Sequence, residues 1–222
     1  MEMQTEQATQ KTCMSSLIDQ GSLESHRYYL SRRTVIEMLR DRGYSVPDSE
    51  IDLSLDQFRT IYGQSPDTSR LRISASHESD PSDKILVVFC DQGIVKVSQV
   101  RSIAGQITNK DSLNRLIVVI QDRITDQAMK TWDLFSFKVE IFQITDLLVN
   151  ITKHELNPRH RVLTNEEKQK LLEKYSVDEK QLPRITVKDA LVRYFALEKG
   201  QVLEITYNSG ITETYVTYRC VW

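Results

Sequence analysis

Two histidines and a glutamate that could bind a metal ion lie close together in the last third of the chain, at His154, Glu155 and His160. Zinc proteases use a His-Glu-x-x-His sequence, in which the two imidazoles lie one helical turn apart and face the same ion. Here the second histidine follows six residues after the first, and Pro158 lies between them. The spacing excludes this type of zinc site and favours structural or surface histidines.

The three cysteines, Cys13, Cys90 and Cys220, are far apart and form no Cys-x-x-Cys pair. Their odd number argues against a disulfide framework, and their spacing argues against a tetrahedral zinc site. We expect reduced thiols in an intracellular protein, and no cofactor.

A metal-dependent nuclease would need a Glu-x-Lys pair beside another acidic residue on adjacent strand ends. The Glu-x-Lys of this chain is Glu166-Glu167-Lys168. Glu167 lies three residues after Thr164, a spacing that predicts a helix capping box rather than a metal site. The seven glycines form no phosphate-binding loop and no serine-nucleophile motif. The motifs therefore favour neither a metal-dependent nuclease nor a phosphate-binding enzyme, and no local signature favours a serine nucleophile.

The charge composition also limits the possible functions. The formal net charge of the chain is −2, with +2 in residues 153–222 (12 basic, 10 acidic) and −4 in the remainder (17 basic, 21 acidic). Phosphate neutralisation supplies most non-specific DNA affinity, so neither part is expected to bind DNA strongly by itself. The N-terminus lacks the apolar segment of a signal peptide, and the longest apolar runs are too short to span a bilayer, so no membrane partner is expected.

Helices and strands alternate in the first two thirds of the chain. A helix is predicted from Glu24 to Arg42, and a second helix from Pro47 to Gly63. The arginines of the first helix are expected to form a solvated face: Arg27, Arg32, Arg33, Arg40 and Arg42. Further strands are predicted at 71–76, 85–90, 116–120 and 137–142, with helices at 97–107 and 125–132. This order predicts a three-layer α/β domain with a mixed or parallel sheet, and it resembles the restriction-endonuclease-like folds.

The pattern changes after residue 150. A capped helix is predicted at 164–175, and a second at 189–195. Alternating strands on either side of Asn208-Ser209-Gly210 predict a β-hairpin. The sequence thus predicts a flexible tail at 1–22, an α/β domain at 23–150 and a small α+β domain with a hairpin at 151–222.

Several short motifs follow one another in the C-terminal domain. They are His154-Glu155-Leu156, Leu182-Pro183-Arg184-Ile185, Arg193-Tyr194-Phe195, Gly200-Gln201-Val202 and Tyr215-Val216-Thr217-Tyr218-Arg219. In this order they resemble the C-terminal domain of the fifth subunit of eukaryotic nuclear RNA polymerases, a domain with a counterpart in archaeal RNA polymerase. Residues 35–44, 116–121 and 147–152 are similar to the rest of that family, so the resemblance covers about residues 25–222.

The resemblance implies a non-catalytic subunit of a DNA-dependent RNA polymerase in the nucleus. In that family the N-terminal domain forms part of the jaw near downstream DNA, and the C-terminal domain docks on the largest subunit. The implied partners are therefore the largest subunit and other subunits of the polymerase. The candidate docking residues are Leu182, Pro183, Arg184, Arg193, Tyr194, Tyr215, Tyr218 and Arg219.

The family also implies a loop that faces downstream DNA and carries a Thr-Pro-x-Ala pattern. The matching residues are Thr125, Asp126 and Ala128, preceded by Arg123. Arg123 and Thr125 are the candidate DNA-proximal residues, although Asp126 replaces the proline and adds repulsion toward phosphate. An equally good interpretation makes Thr125 a helix N-cap.

The chain differs from the family pattern mainly in exposed charges. Glu198 and Glu204 replace residues that are usually basic, and Ala196 replaces a glycine. Such changes tune partner choice. We therefore expect a specialised paralogue, most like the copy that plants assign to RNA polymerase V and RNA-directed DNA methylation. The alternatives are a subunit shared by polymerases I, II and III, and an independent nuclear adaptor that docks another protein through its arginine-bearing first helix or its hairpin.

Overall fold

The structure is a computed structural model that describes residues 21–107, 112–207 and 214–222. These residues form two four-stranded sheets, each with its own helices. Cys13, the hairpin turn at 208–210 and all but the last two residues of the predicted tail lie outside the described residues.

The first helix, α1 (Leu23–Asp41), begins at Ser22, whose hydroxyl accepts a hydrogen bond from the Ser25 amide. Tyr28, Val35 and Leu39 are buried along one side, as predicted. The expectation that all five arginines face solvent is wrong, because Arg32 and the Arg42 side chain are buried. Both lie against carboxylates, which allows their burial.

The helix predicted from Pro47 to Gly63 is two helices, α2 (Asp48–Ile51) and α3 (Leu55–Tyr62). The break occurs at Ser54, whose side chain accepts the Gln57 amide while the Gln57 side chain accepts the Ser54 amide. This capping box starts a new helix and thereby ends the continuity of the first.

The N-terminal sheet contains β1 (Ile73–Ser76), β2 (Lys84–Phe89), β3 (Arg115–Ile120) and β4 (Lys138–Gln143), in that order. The β1–β2 pair is antiparallel, and the pairs β2–β3 and β3–β4 are parallel. The connections contain α4 (Val97–Gln106) and α5 (Asp126–Trp132).

Alternate strand residues enter two separate cores. Val87 and Ile117 pack in a core with α1, whereas Val88 and Val118 pack in a core with α4 and α5. The domain therefore has helices on both faces of its sheet, and the continuous apolar run of β3 is explained because both of its faces are covered.

The C-terminal domain contains β5 (Arg159–Val162), α6 (Asn165–Tyr175), β6 (Arg184–Ile185), α7 (Ala190–Tyr194), β7 (Val202–Tyr207) and β8 (Tyr215–Val221). Its sheet order is β5-β7-β8-β6. The β7–β8 pair is antiparallel, as the predicted hairpin requires. The capping box at Thr164 and the Asp189 cap are also confirmed. The edge strands β5 and β6 were not predicted.

In the described part of the chain, no helix combines the length and apolar character needed to cross a membrane.

Candidate docking and nucleic-acid-facing surfaces

The two domains meet at Arg42, the residue that follows α1. Its Nε donates to the carbonyl oxygen of Tyr194 at 2.7 Å, and one Nη donates to the carbonyl oxygen of Arg193 at 2.8 Å. The same guanidinium binds both carboxylate oxygens of Glu140 on β4, at 2.8 and 3.3 Å. Only 4% of the Arg42 side chain is exposed. One buried cation thus joins α1, β4 and the end of α7, and it fixes the orientation of α7 against the first domain.

A second group of polar residues lies beside Arg42. The Tyr194 hydroxyl donates to Asp41 at 2.7 Å, and the Asn150 amide donates to Tyr194 at 3.2 Å and to Glu37 at 2.7 Å. Burial raises the pKa of Tyr194, and the nearby Asp41 carboxylate raises it further. Burial alone would raise the pKa of Glu37, but hydrogen bonds from Asn150 and Lys153 outweigh it and hold that pKa below its usual value.

Arg193 covers the exposed edge of the N-terminal sheet. One Nη donates to the carbonyl oxygen of Ile141 on edge strand β4 at 2.7 Å, and the guanidinium lies 4.5 Å from the centre of the Phe142 ring. Edge strands left open invite pairing with other chains, so this contact also protects the sheet. Arg193 and Tyr194 were predicted as docking residues, but the structure places Tyr194 in the core and uses both side chains within the chain.

The β7–β8 pair displays aromatic side chains at one end and a cationic side chain near the other. Tyr215 lies opposite Tyr207 in the antiparallel register, and their ring centroids are 6.3 Å apart. Tyr215 is 64% exposed. Arg219 is exposed on the same face of β8, because side chains four residues apart in a strand point to the same side. Exposed tyrosine and arginine are the residue types most enriched in binding hot spots.

The opposite face of the hairpin supports this surface. Tyr218 is half-buried and packs with Leu182 against the core of the C-terminal domain. The Tyr218 ring also lies 6.5 Å from the ring of Tyr175 on α6. Burial raises the pKa of Tyr218, and the Glu204 carboxylate adds to the effect. Leu182 and Tyr218, both docking candidates, therefore contribute more to the packing of this domain than to its exposed surface.

A further exposed feature lies at the β6 edge of the same sheet. Pro183 and Arg184 are exposed, and the Arg184 guanidinium lies 4.0 Å from the centre of the Trp222 ring. This is a cation–π contact. The Pro183 carbonyl oxygen accepts the Cys220 amide at 2.8 Å, which fixes this edge to β8.

The predicted DNA-proximal residues lie between β3 and α5. Arg123 is exposed, and its carbonyl oxygen accepts the Val95 amide at 2.9 Å. Thr125 is the N-cap of α5, and its hydroxyl accepts the Ala128 amide at 3.3 Å. The capping interpretation of Thr125 is thus confirmed, and the Arg123 side chain is exposed.

Two departures from the family pattern form ion pairs within the chain. Glu198 binds Lys138 of the first domain at 2.9 Å, and Glu204 binds Arg161 on β5 at 3.1 Å. Ala196, in place of the family's glycine, has a positive φ of 52°. That conformation is unfavourable for a residue with a Cβ.

The histidines and cysteines form no metal-binding cluster within the described ranges. The His154 Nδ1 accepts the Leu156 amide at 3.2 Å, and burial lowers the pKa of His160. Cys90 and Cys220 are buried free thiols, and burial raises the pKa of Cys90 to about 11.

Sequence reasoning missed the residues that join the domains, Glu37, Arg42 and Asn150. Arg42 contacts residues 98 to 152 positions later in the chain, so local periodicity carries no signal for its role. The available signal was the position of Arg42, a charged residue that continues the apolar stripe of Val35 and Leu39 at the end of α1.

Two family models match the chain. The model described as RNA polymerase Rpb5, C-terminal domain, matches residues 149–221, and the model described as RNA polymerase Rpb5, N-terminal domain, matches residues 22–107.

Similar proteins carry related names. The chain is 54% identical over 222 residues to the Arabidopsis thaliana DNA-directed RNA polymerase V subunit 5A, covering 100% of both chains. It is 56% identical over 204 residues to the DNA-directed RNA polymerases IV and V subunit 5B of that plant, covering 92% of this chain and 94% of the other. Identity to the Caenorhabditis elegans DNA-directed RNA polymerases I, II, and III subunit RPABC1 is 36% over 206 residues, covering 90% and 97%. The chain therefore belongs to the Rpb5 family of RNA polymerase subunits.

Proposed function

We propose that this protein is the fifth subunit of a plant nuclear RNA polymerase, specialised for RNA polymerase V, and that it performs no catalysis itself. The specialisation is supported by the higher identity to the subunits named for polymerases IV and V than to the shared subunit of polymerases I, II and III. A role in RNA-directed DNA methylation and gene silencing follows from that assignment and belongs to the proposal.

The C-terminal domain, residues 151–222, docks on the largest subunit of the polymerase. The observation that carries this part is the exposed pair Tyr207 and Tyr215 with Arg219 on the same face. Rigid aromatic side chains bury a large area at low entropic cost, and an arginine on the same face adds directional hydrogen bonds. Pro183 and Arg184 add a second exposed patch at the β6 edge of the sheet.

The N-terminal domain, residues 23–150, acts as a jaw beside downstream DNA. Its mixed sheet between two helical layers fits a restriction-endonuclease-like architecture in a domain that performs no catalysis. Contact with DNA is weak and depends on assembly, because a chain of net charge −2 cannot bind duplex DNA strongly alone. Within the complex, tethering raises the effective concentration enough for Arg123 to contribute.

A pull-down with the recombinant largest subunit of polymerase V tests the docking surface. Tyr215→Ala combined with Arg219→Ala should lower the bound fraction about tenfold or more, because central interface residues contribute over 1 kcal/mol each. Lys130→Ala on α5 is the matched control and should bind normally. Equal binding of the double variant and the wild type would reject this surface.

The alternative is the subunit shared by polymerases I, II and III, and it is favoured by the 36% identity to the shared worm subunit across most of both chains. Equal binding to the largest subunits of polymerases II and V would support that alternative. The independent adaptor would be favoured if the protein bound neither.

A further inference from the structure

One face of the C-terminal sheet carries two exposed tyrosines and an exposed arginine. Residues directly opposite each other in neighbouring strands point to the same side of a sheet. The strand register therefore places six side chains on what we call the tyrosine face: His160, Ile205, Tyr207, Tyr215, Thr217 and Arg219. Beyond these residues, α7 covers the same side of the sheet, where Val192 packs with Leu203.

Arg219 is the only one of these six side chains that carries a formal charge at neutral pH. His160 is half-buried, and burial lowers the pKa of its imidazole, with the Arg219 charge acting in the same direction. Within the described ranges, the Arg219 guanidinium forms no ion pair and no hydrogen bond. Asp189 acts electrostatically on His160, but its carboxylate caps α7 by accepting the Leu191 amide at 2.9 Å. The tyrosine face therefore presents one cation without a counter-charge.

Docking of the tyrosine face would take this cation out of water. Arg219 lies four residues from Tyr215 on β8, about 13 Å along the strand, so both fall within a standard interface of about 800 Å² on each partner. A charge that is covered without a counter-charge costs far more free energy than one that meets a carboxylate. Arg161 in the same domain shows the paired state, because Glu204 and Glu167 bind its guanidinium at 3.1 and 2.6 Å. Arg219 would need an equivalent carboxylate from the docking partner.

On the basis of the docking proposed above, we infer that the largest subunit places an aspartate or glutamate side chain against the Arg219 guanidinium. An arginine can bind a carboxylate through two parallel N–H···O bonds, so this contact would fix the register of the interface as well as add affinity. The same partner surface places an apolar or aromatic group on Tyr207 and Tyr215. A nucleic acid fits less well, because its binding requires several cations and this face offers one.

Equilibrium binding of the full-length protein to the recombinant largest subunit of polymerase V, at low and at high salt, tests this contact. Arg219→Met removes the charge but keeps a long apolar side chain, and Arg219→Glu reverses the charge. Arg159→Met is the matched control, because Arg159 is also exposed but pairs with Thr206 on the opposite face of the sheet. Tyr215→Ala reports on docking itself. Circular dichroism of each variant verifies that the fold is intact.

An acidic partner group predicts that Arg219→Met weakens binding about tenfold. Arg219→Glu should weaken it further, because it adds like-charge repulsion, and both variants should make binding less sensitive to salt. Arg159→Met should bind like the wild type.

Two kinds of failure can be told apart. If Tyr215→Ala weakens binding but Arg219→Met does not, or if Arg219→Glu binds no more weakly than Arg219→Met, the acidic contact is rejected and the docking face stands. If the wild type does not bind, or if neither Tyr215→Ala nor Arg219→Met changes binding, the docking face itself is rejected, and the acidic contact with it.

Discussion

The guanidinium of Arg42 and the backbone carbonyl of Tyr194, 152 residues apart in the chain, form a 2.7 Å hydrogen bond inside the domain junction. Together with Glu140, this contact makes α7 of the second domain part of the packing of the first. The two domains are thus connected through hydrogen bonds from a buried guanidinium, which Glu140 holds in place from within the first domain.

Replacing Arg42 with alanine should destabilise the protein by about 3 kcal/mol, because Glu140 and two carbonyl groups would lose a buried partner. Urea unfolding followed by circular dichroism measures the change. Arg40→Ala is the matched control: it lies two residues earlier on the exposed side of the helix end, and it should change the free energy of unfolding by less than about 0.5 kcal/mol. Equal losses in the two variants would show that the junction does not depend on Arg42.

Glu37 should make stability depend on pH. Its pKa in the folded protein lies below the usual value of 4.5, so the unfolded chain takes up protons first as the pH falls. The stabilisation is therefore present above that value and is lost as the pH decreases through the folded pKa. Glu37→Gln should cost about 1–2 kcal/mol at neutral pH, and its difference from the wild type should shrink below pH 4.5. A difference that stays constant down to about pH 3 in urea titrations would contradict this role.

Ala196→Gly should stabilise the protein by about 1 kcal/mol, because glycine adopts the positive φ at this position without the Cβ clash. Thermal unfolding gives the comparison. Ala190→Gly, in the first turn of α7, is the opposite control and should lose about 0.5 kcal/mol. A loss of stability in Ala196→Gly would mean that the alanine methyl group contributes packing that outweighs the strain.

Variants of Arg123 and Thr125 should have different effects, because we expect Arg123 to lie near DNA and Thr125 to cap α5. Thr125→Ala should reduce stability by about 1 kcal/mol, because the Ala128 amide loses its cap. Arg123→Ala should leave stability within about 0.5 kcal/mol of the wild type but reduce crosslinking of the assembled polymerase to downstream DNA. Unchanged crosslinking in Arg123→Ala would remove this residue from the DNA-facing surface.

Local patterns in the sequence predicted the elements that depend on local physics. The apolar run at 116–120 predicted strand β3, and the capping box at Thr164 predicted the start of α6. The alternation of apolar and polar residues predicted the β7–β8 hairpin. The capping box at Ser54 has the same kind of local signal, yet the apolar spacing around it led to one continuous helix.

The elements that were missed depend on distant partners. Strand β5 contains Arg159-His160-Arg161-Val162, a polar segment that forms a strand because β7 supplies its hydrogen bonds. Strand β6 has two residues and exists only through its pairing with β8. Among the docking candidates, nothing in the local sequence distinguishes Tyr215 from Tyr194. Tyr215 is exposed, whereas Tyr194 is buried against the first domain. The burial of Tyr194 depends on the orientation of α7, which the distant Arg42 holds.

The most direct test of the central claim is affinity purification of the tagged full-length protein from plant nuclei, with mass spectrometry of the largest polymerase subunit that co-purifies. If the surface of this protein is specific for polymerase V, the largest subunit of polymerase V should be recovered in large excess over those of polymerases I, II and III. Equal recovery of all largest subunits would contradict the specialisation, and recovery of none would contradict membership of a polymerase altogether.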